Sequence, residues 1–144
     1  LTNVASVAQE ALSIAKYYQS NRGKAVTLQV PDDLPKLLIA RDQLMQALLN
    51  LILNAIDATE KGGKVIVAAG ATTDELYITV TDDGHGITPE AQAKLFQPYY
   101  TTKLQGTGLG LFMTRRLVEQ QGGTVTATSQ PGEGTTFRIH FPIK

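Results

Sequence analysis

The sequence predicts a single α/β domain, a mixed sheet with helices on one face. Its 144 residues fit one domain and can bury a real core. Segments of helical apolar spacing alternate unevenly with segments of period two, and two consecutive strands close the chain. That order argues against a purely parallel sheet. No internal repeat, low-complexity tract or linker breaks the pattern.

Val4, Val7, Ala8, Ala11, Ile14, Ala15 and Tyr18 recur at helical spacing and predict an amphipathic helix over 3–21, stopped by Asn21-Arg22-Gly23. Val26, Leu28 and Val30 alternate as in a half-buried strand, and Pro31 to Pro35 reads as a loop. A long helix is expected from about Ala40 to Glu60, closed by Lys61-Gly62-Gly63. Strands over 64–69 and 75–82 form a hairpin around Ala71-Thr72-Thr73-Asp74. Thr88-Pro89-Glu90 supplies an N-cap, a first-turn proline and an acid suited to the helix dipole, opening a short helix to about Phe96. Residues 97–107 lack any apolar period and read as a loop or lid. Leu109 to Gln121 reads as a helix stopped by Gly122-Gly123, followed by strands over 124–129 and 135–142.

Composition narrows the function. With 13 basic and 13 acidic residues there is no broad basic face, so neither nucleic acid nor direct membrane contact is expected. The absence of cysteine excludes disulfides, zinc-thiolate sites and thiol catalysis. No segment approaches the ~18 apolar residues of a membrane helix, and no signal peptide is visible. A soluble, cytoplasmic domain is expected. Because the chain opens on leucine, it reads as a fragment of a longer protein, which could itself be membrane-anchored or soluble.

Three segments carry chemistry. On the long helix, Gln43, Gln46, Asn50, Asn54, Asp57 and Lys61 fall in one narrow stripe, opposite a broad arc of Leu44, Leu48, Leu51, Ile52, Ala55 and Ile56. The stripe is either a solvated face or a ligand face. Asparagine competes for backbone hydrogen bonds and is a poor helix former. A neutral amide oxygen suits Mg²⁺ already chelated by phosphates. Asp82 ends the alternating strand Leu76, Ile78, Val80 and runs into Gly84-His85-Gly86-Ile87. This is either an acidic turn or a fixed carboxylate beside a backbone that can adopt φ > 0 and approach a ligand. Such a carboxylate accepts from the exocyclic amine of adenine and disfavours guanine, which shows a carbonyl there. Gly106-Thr107-Gly108-Leu109-Gly110 opens a helix whose first amides can meet an anion, without the P-loop or Rossmann spacing. Lys103 is either an exposed lysine or a phosphate contact. Thr135 is a strand residue whose hydroxyl could share a base or a water with Asp82. His85 reads as a loop residue and His140 as structural.

In this order the segments resemble the catalytic ATP-binding domain of bacterial sensor histidine kinases, in the GHKL ATPase/kinase superfamily. Gln46 to Ala58 resembles the N box, Asp82 to Gly86 the G1 box, Leu95 to Lys103 the F box and Gly106 to Gly110 the G2 box. The run Phe96-Gln97-Pro98-Tyr99-Tyr100-Thr101-Thr102-Lys103 resembles the nitrogen-regulation-type branch, with tyrosines where phenylalanines commonly stand.

The resemblance implies a two-layer α/β sandwich, the Bergerat fold, with a mostly antiparallel mixed sheet and a flexible ATP lid. It implies ATP and Mg²⁺, with Asn54 as metal ligand and Asn50 supporting phosphates or metal. Asp57 would help line the site, Asp82 would take the adenine amine, and Gly84, Gly86 and Ile87 would line the pocket. Thr101, Thr102, Lys103, Gly106, Thr107, Gly108, Leu109 and Gly110 would form the lid and phosphate loop, with Thr135 backing the adenine. Asn50 and Lys103 would be the catalytic residues. Neither histidine has the H-box context of a phosphoacceptor, so the implied partners are a helical dimerisation and phosphoacceptor domain of the same protein and, through it, a response regulator. Hydrolytic relatives place a glutamate where Asn50 stands. A GHKL switch ATPase and a non-catalytic ATP-binding module are the alternatives.

Overall fold

The computed structural model describes residues 2–18, 25–31, 33–58, 63–84, 86, 89–90, 110–129 and 134–143. Helix α1 is Val4–Tyr18, strand β1 Ala25–Gln29, helix α2 Arg41–Ala58, strand β2 Lys64–Ala71, strand β3 Glu75–Asp82, helix α3 Gly110–Gln120, strand β4 Thr124–Ser129 and strand β5 Thr135–Pro142. The strands form one sheet in the order β1-β2-β3-β5-β4. Among the described residues, β1 and β2 pair in parallel and the other three pairings are antiparallel. This is the mixed sheet that the sequence predicts and, as the resemblance implies, it is mostly antiparallel.

Alternation decides which way each strand faces. Val65 and Val67 of β2, Leu76, Ile78 and Val80 of β3, and Phe137, Ile139 and Phe141 of β5 are buried on one side. The predicted apolar arc of α2 meets them, with Leu44, Leu48, Leu51, Ile52, Ala55 and Ile56 all buried. α1 closes over α2 through Val4, Val7, Ala8, Ala11, Leu12 and Ala15. Leu12 holds the core position there, while Ile14, expected in that stripe, is only half-buried. Asn3 caps α1, its Oδ1 accepting from the Ser6 amide at 3.1 Å.

The other face of the sheet is only half-covered. There the Arg138 guanidinium stacks 4.4 Å from the centre of the Tyr77 ring, and His140 Nδ1 lies 3.4 Å from Glu75 Oε1. His140 is thus a strand residue in a local polar cluster. No helix among the described residues is long and apolar enough to cross a membrane. Pro89 and Glu90 are helical; the rest of the short helix expected there, and the lid over 97–107, lie outside the described residues.

Candidate functional site

Asp82 ends β3 and Asp83 follows it, and the alternation of the strand separates their roles. Asp82 continues the inward alternation of Ile78 and Val80 and is 4% exposed. A carboxylate so buried requires hydrogen-bond donors, and the Gly84 amide donates to its Oδ1 at 2.9 Å. Asp83 faces outward and closes the ladder. Its Oδ1 accepts from the Lys64 amide at 2.8 Å, and its own amide donates to the Lys64 carbonyl at 3.2 Å. Gly86 is buried with φ +75°, the left-handed backbone expected of this loop.

Thr135 is the register partner of Asp82 across β3 and β5 and is also 4% exposed. Gly134 permits that approach. Its φ is +86°, and a Cβ there would collide with the Asp82 carbonyl oxygen. Between the strands expected over 124–129 and 135–142, Gly134 carries no sequence signal of its own for a part in the site. Its position directly before Thr135, facing the Asp-x-Gly run, is the available signal.

Part of the polar stripe of α2, Gln43 and Asn50, faces α3, while Gln46 is exposed. Gln121 Nε2 donates to Gln43 Oε1, and Gln121 Oε1 accepts from the Ala40 amide at 2.8 Å. One step further, Asn50 Nδ2 donates to Thr114 Oγ1 at 3.3 Å, while Gln46 Nε2 donates to Asn50 Oδ1 at 3.3 Å. From Gln43 to Asn50 the chain advances seven residues, and from Gln121 to Thr114 it retreats seven, so the helices run antiparallel. Asn54, one turn beyond Asn50, therefore lies toward the Gly110 end of α3, where helix amides lack intrahelical acceptors. Thr114 is fully buried, a polar residue between the inward-facing Leu111 and Val118. Sequence reasoning misses it too, although a threonine three residues after one apolar position and four before the next is a visible anomaly.

Connectivity joins the two halves. Five residues separate Ala58 from Lys64, and Lys64 pairs with the Asp82 end of β3 through Asp83. The C-terminal end of α2, the start of α3 and the Asp82–Thr135 pair therefore occupy one edge of the domain. His85, Ile87, Thr101, Thr102, Lys103, Gly106, Thr107, Gly108, Leu109 and the Asp57 side chain lie outside the described residues. Among the described residues no group of three or more His, Cys, Asp or Glu could hold a metal ion. The amides of Asn50 and Asn54 suit an ion that arrives already chelated by phosphates, not one caged by protein.

A mixed sheet backed by helices, with a buried strand-end aspartate beside an asparagine-bearing helix, defines a class of nucleotide-binding ATPase domain. Residues 39–144 match the family of histidine kinase-, DNA gyrase B- and HSP90-like ATPases, and the chain belongs to it. Over 112 residues it is 45% identical to the sensor histidine kinase ZraS of Escherichia coli strain K12, covering 78% of this chain and 24% of that protein. Over 143 residues it is 30% identical to sporulation kinase E of Bacillus subtilis strain 168, covering 99% of this chain and 19% of the relative. The chain thus spans a quarter or less of these relatives. The nucleotide-free catalytic domain of histidine kinase ThkA superposes with a TM-score of 0.87 at 28% identity, covering 98% of this chain and 93% of ThkA's. Full-length ShkA in complex with AMPPNP gives 0.88 at 29% identity, covering 98% and 30% respectively.

Proposed function

We propose that residues 1–144 are one catalytic ATP-binding domain of a longer sensor histidine kinase. It holds Mg-ATP and presents the γ-phosphate to a histidine on a separate helical dimerisation domain of the same protein, which then serves a response regulator. The observation that carries this reading is the shared edge: Asp82 with Thr135, Asn50 with Asn54, and the opening amides of α3. The AMPPNP held by the similar ShkA protein supports ATP as ligand. Placement in the nitrogen-regulation-type branch rests on the run Phe96 to Lys103 alone, since the ZraS proteins stand in a different branch.

Asp82, whose Oδ1 accepts from the Gly84 amide, is the acceptor-only carboxylate that takes the exocyclic amine of adenine. Gly84, Gly86 and Ile87 let the backbone approach the ring, and Thr135 backs it. Asn54 offers an amide oxygen to the metal, and Asp57 helps line the nucleotide site. Lys103 and the amides of Gly106, Thr107, Gly108, Leu109 and Gly110 meet the phosphates, and Thr101 and Thr102 belong to the lid that excludes water. Bound Mg²⁺ supplies charge neutralisation across the phosphates.

Asn50 decides between transfer and hydrolysis. Its carboxamide, held between Gln46 and Thr114, has no basic atom to take a proton from water. Catalysis is then positioning and electrostatic stabilisation, with the attacking imidazole supplied by the other domain. Titrating the chain with ATP by calorimetry, with and without Mg²⁺, tests the binding half of the proposal. Micromolar, Mg²⁺-dependent binding is expected; no heat in either condition refutes it.

A further inference from the structure

Ser129 and Thr135 share hydrogens in a way that has a consequence for the base. Ser129 Oγ donates to the Gly134 carbonyl at 2.9 Å. The same Oγ stands 3.0 Å from Thr135 Oγ1. A hydroxyl has one hydrogen, and a carbonyl can only accept. With the Ser129 hydrogen committed to Gly134, the hydrogen in the Ser129–Thr135 bond comes from Thr135. The Thr135 oxygen is left with lone pairs alone.

That polarity matters because of what stands opposite. Asp82 is the register partner of Thr135 on the same buried face, and such partners hold their Cβ atoms about 4.5–5.5 Å apart. An ionised carboxylate is acceptor-only and would ordinarily attract a neighbouring hydroxyl hydrogen, since charge-assisted bonds are the stronger ones. Ser129 diverts that hydrogen to the side of the strand pair away from Asp82. The edge of the pocket then shows acceptors from both strands.

We propose that Ser129 is a specificity-determining positioning residue: by holding the Thr135 hydroxyl as an acceptor, it makes the pocket select a 6-aminopurine over a 6-oxopurine. An exocyclic amine has two hydrogens to give; a 6-oxo group has none and places an acceptor against acceptors. Removing the serine hydroxyl releases the Thr135 hydrogen, which can then turn toward a 6-oxo group. The inference rests on the reading that Asp82 and Thr135 meet the base, and it adds a residue outside the four sequence boxes. Ser129 ends β4, which β5 separates from β3, so it acts on the base through Thr135.

The experiment is calorimetric titration of the chain with Mg-ADP and Mg-IDP, for the parent, Ser129→Ala, Ser129→Thr and Thr135→Val. The parent should prefer ADP. Ser129→Ala should lower the ADP/IDP affinity ratio about three- to tenfold, the worth of one neutral hydrogen bond, mainly by improving IDP binding. Ser129→Thr, which keeps a hydroxyl, should restore the ratio. Thr135→Val should lower the ratio by weakening ADP instead, so the two variants differ in which nucleotide responds.

A parent that prefers ADP with an unchanged ratio in Ser129→Ala overturns the proposal alone and leaves Ser129 a brace between β4 and β5. Equal parental affinity for ADP and IDP overturns the base-edge reading and this proposal with it. Should Ser129→Ala not fold, Thr135→Val decides: an unchanged ratio and unchanged ADP affinity there overturn the proposal.

Discussion

Replacing Asp82 with asparagine tests the base-recognition half of the site with little change in shape. The side chain is buried and its Oδ1 accepts from the Gly84 amide. In Asp82→Asn the new amide oxygen can keep that bond, which turns the NH₂ toward the pocket, where a donor then faces the donors of an adenine amine. One charge-assisted hydrogen bond is worth about 1.5–3 kcal/mol, so ADP affinity should fall roughly ten- to a hundredfold or slightly more. GDP affinity should hold or rise, because the NH₂ can donate to its carbonyl. The matched control is one residue away. Asp83→Asn alters an exposed carboxylate that accepts from Lys64, a bond an amide oxygen can keep, so ADP affinity should stay within about twofold. Calorimetry with ADP and GDP on both variants reads the result. If Asp83→Asn weakens ADP more than Asp82→Asn does, the parity argument that assigns the two aspartates is wrong.

Two further perturbations separate binding from folding. Asn54→Ala removes a half-buried amide without opening a core cavity, so the melting temperature should hold while Mg²⁺-dependent nucleotide affinity is lost; unchanged Mg-ATP binding would refute the metal assignment. Leu51→Ala on the same helix is the converse, costing about 2–5 kcal/mol in a urea unfolding curve through lost packing, since the side chain is fully buried. Gly134→Ala should destabilise by about 1–3 kcal/mol and weaken ADP, because both the positive φ and the contact with the Asp82 carbonyl exclude a Cβ. A Gly134→Ala protein with parental melting and ADP affinity would show that β5 does not need this approach.

What local pattern encodes, the sequence shows. The two C-terminal strands fall where alternation places them, and the buried arc of α2 is the one its periodicity marks. Parity along β3 alone points Asp82 inward. The residues that escaped detection act through pairings distant in sequence. Thr114 matters because α3 lies antiparallel to α2, and Asn50 and Thr114 are 64 positions apart. Gly134 matters because β5 pairs with β3, across a long insertion that contains α3 and β4. No periodicity within either segment carries that register. The buried arc of α1 runs through Ala5 and Leu12 rather than Ile14 for a related reason: α1 packs against both α2 and β1, partners distant in sequence that set which side is buried.

The central claim is that this domain gives a phosphoryl group to a histidine it does not carry. The direct measurement incubates the chain with γ-labelled ATP and Mg²⁺, alone and with the helical domain of its own full-length protein, and follows label on protein and free phosphate together. The account predicts slow phosphate release and no labelled histidine from the chain alone, and acid-labile label on the helical domain when both are present. Rapid phosphate release by the chain alone, with no label on the helical domain, would contradict it and favour an ATP-driven switch.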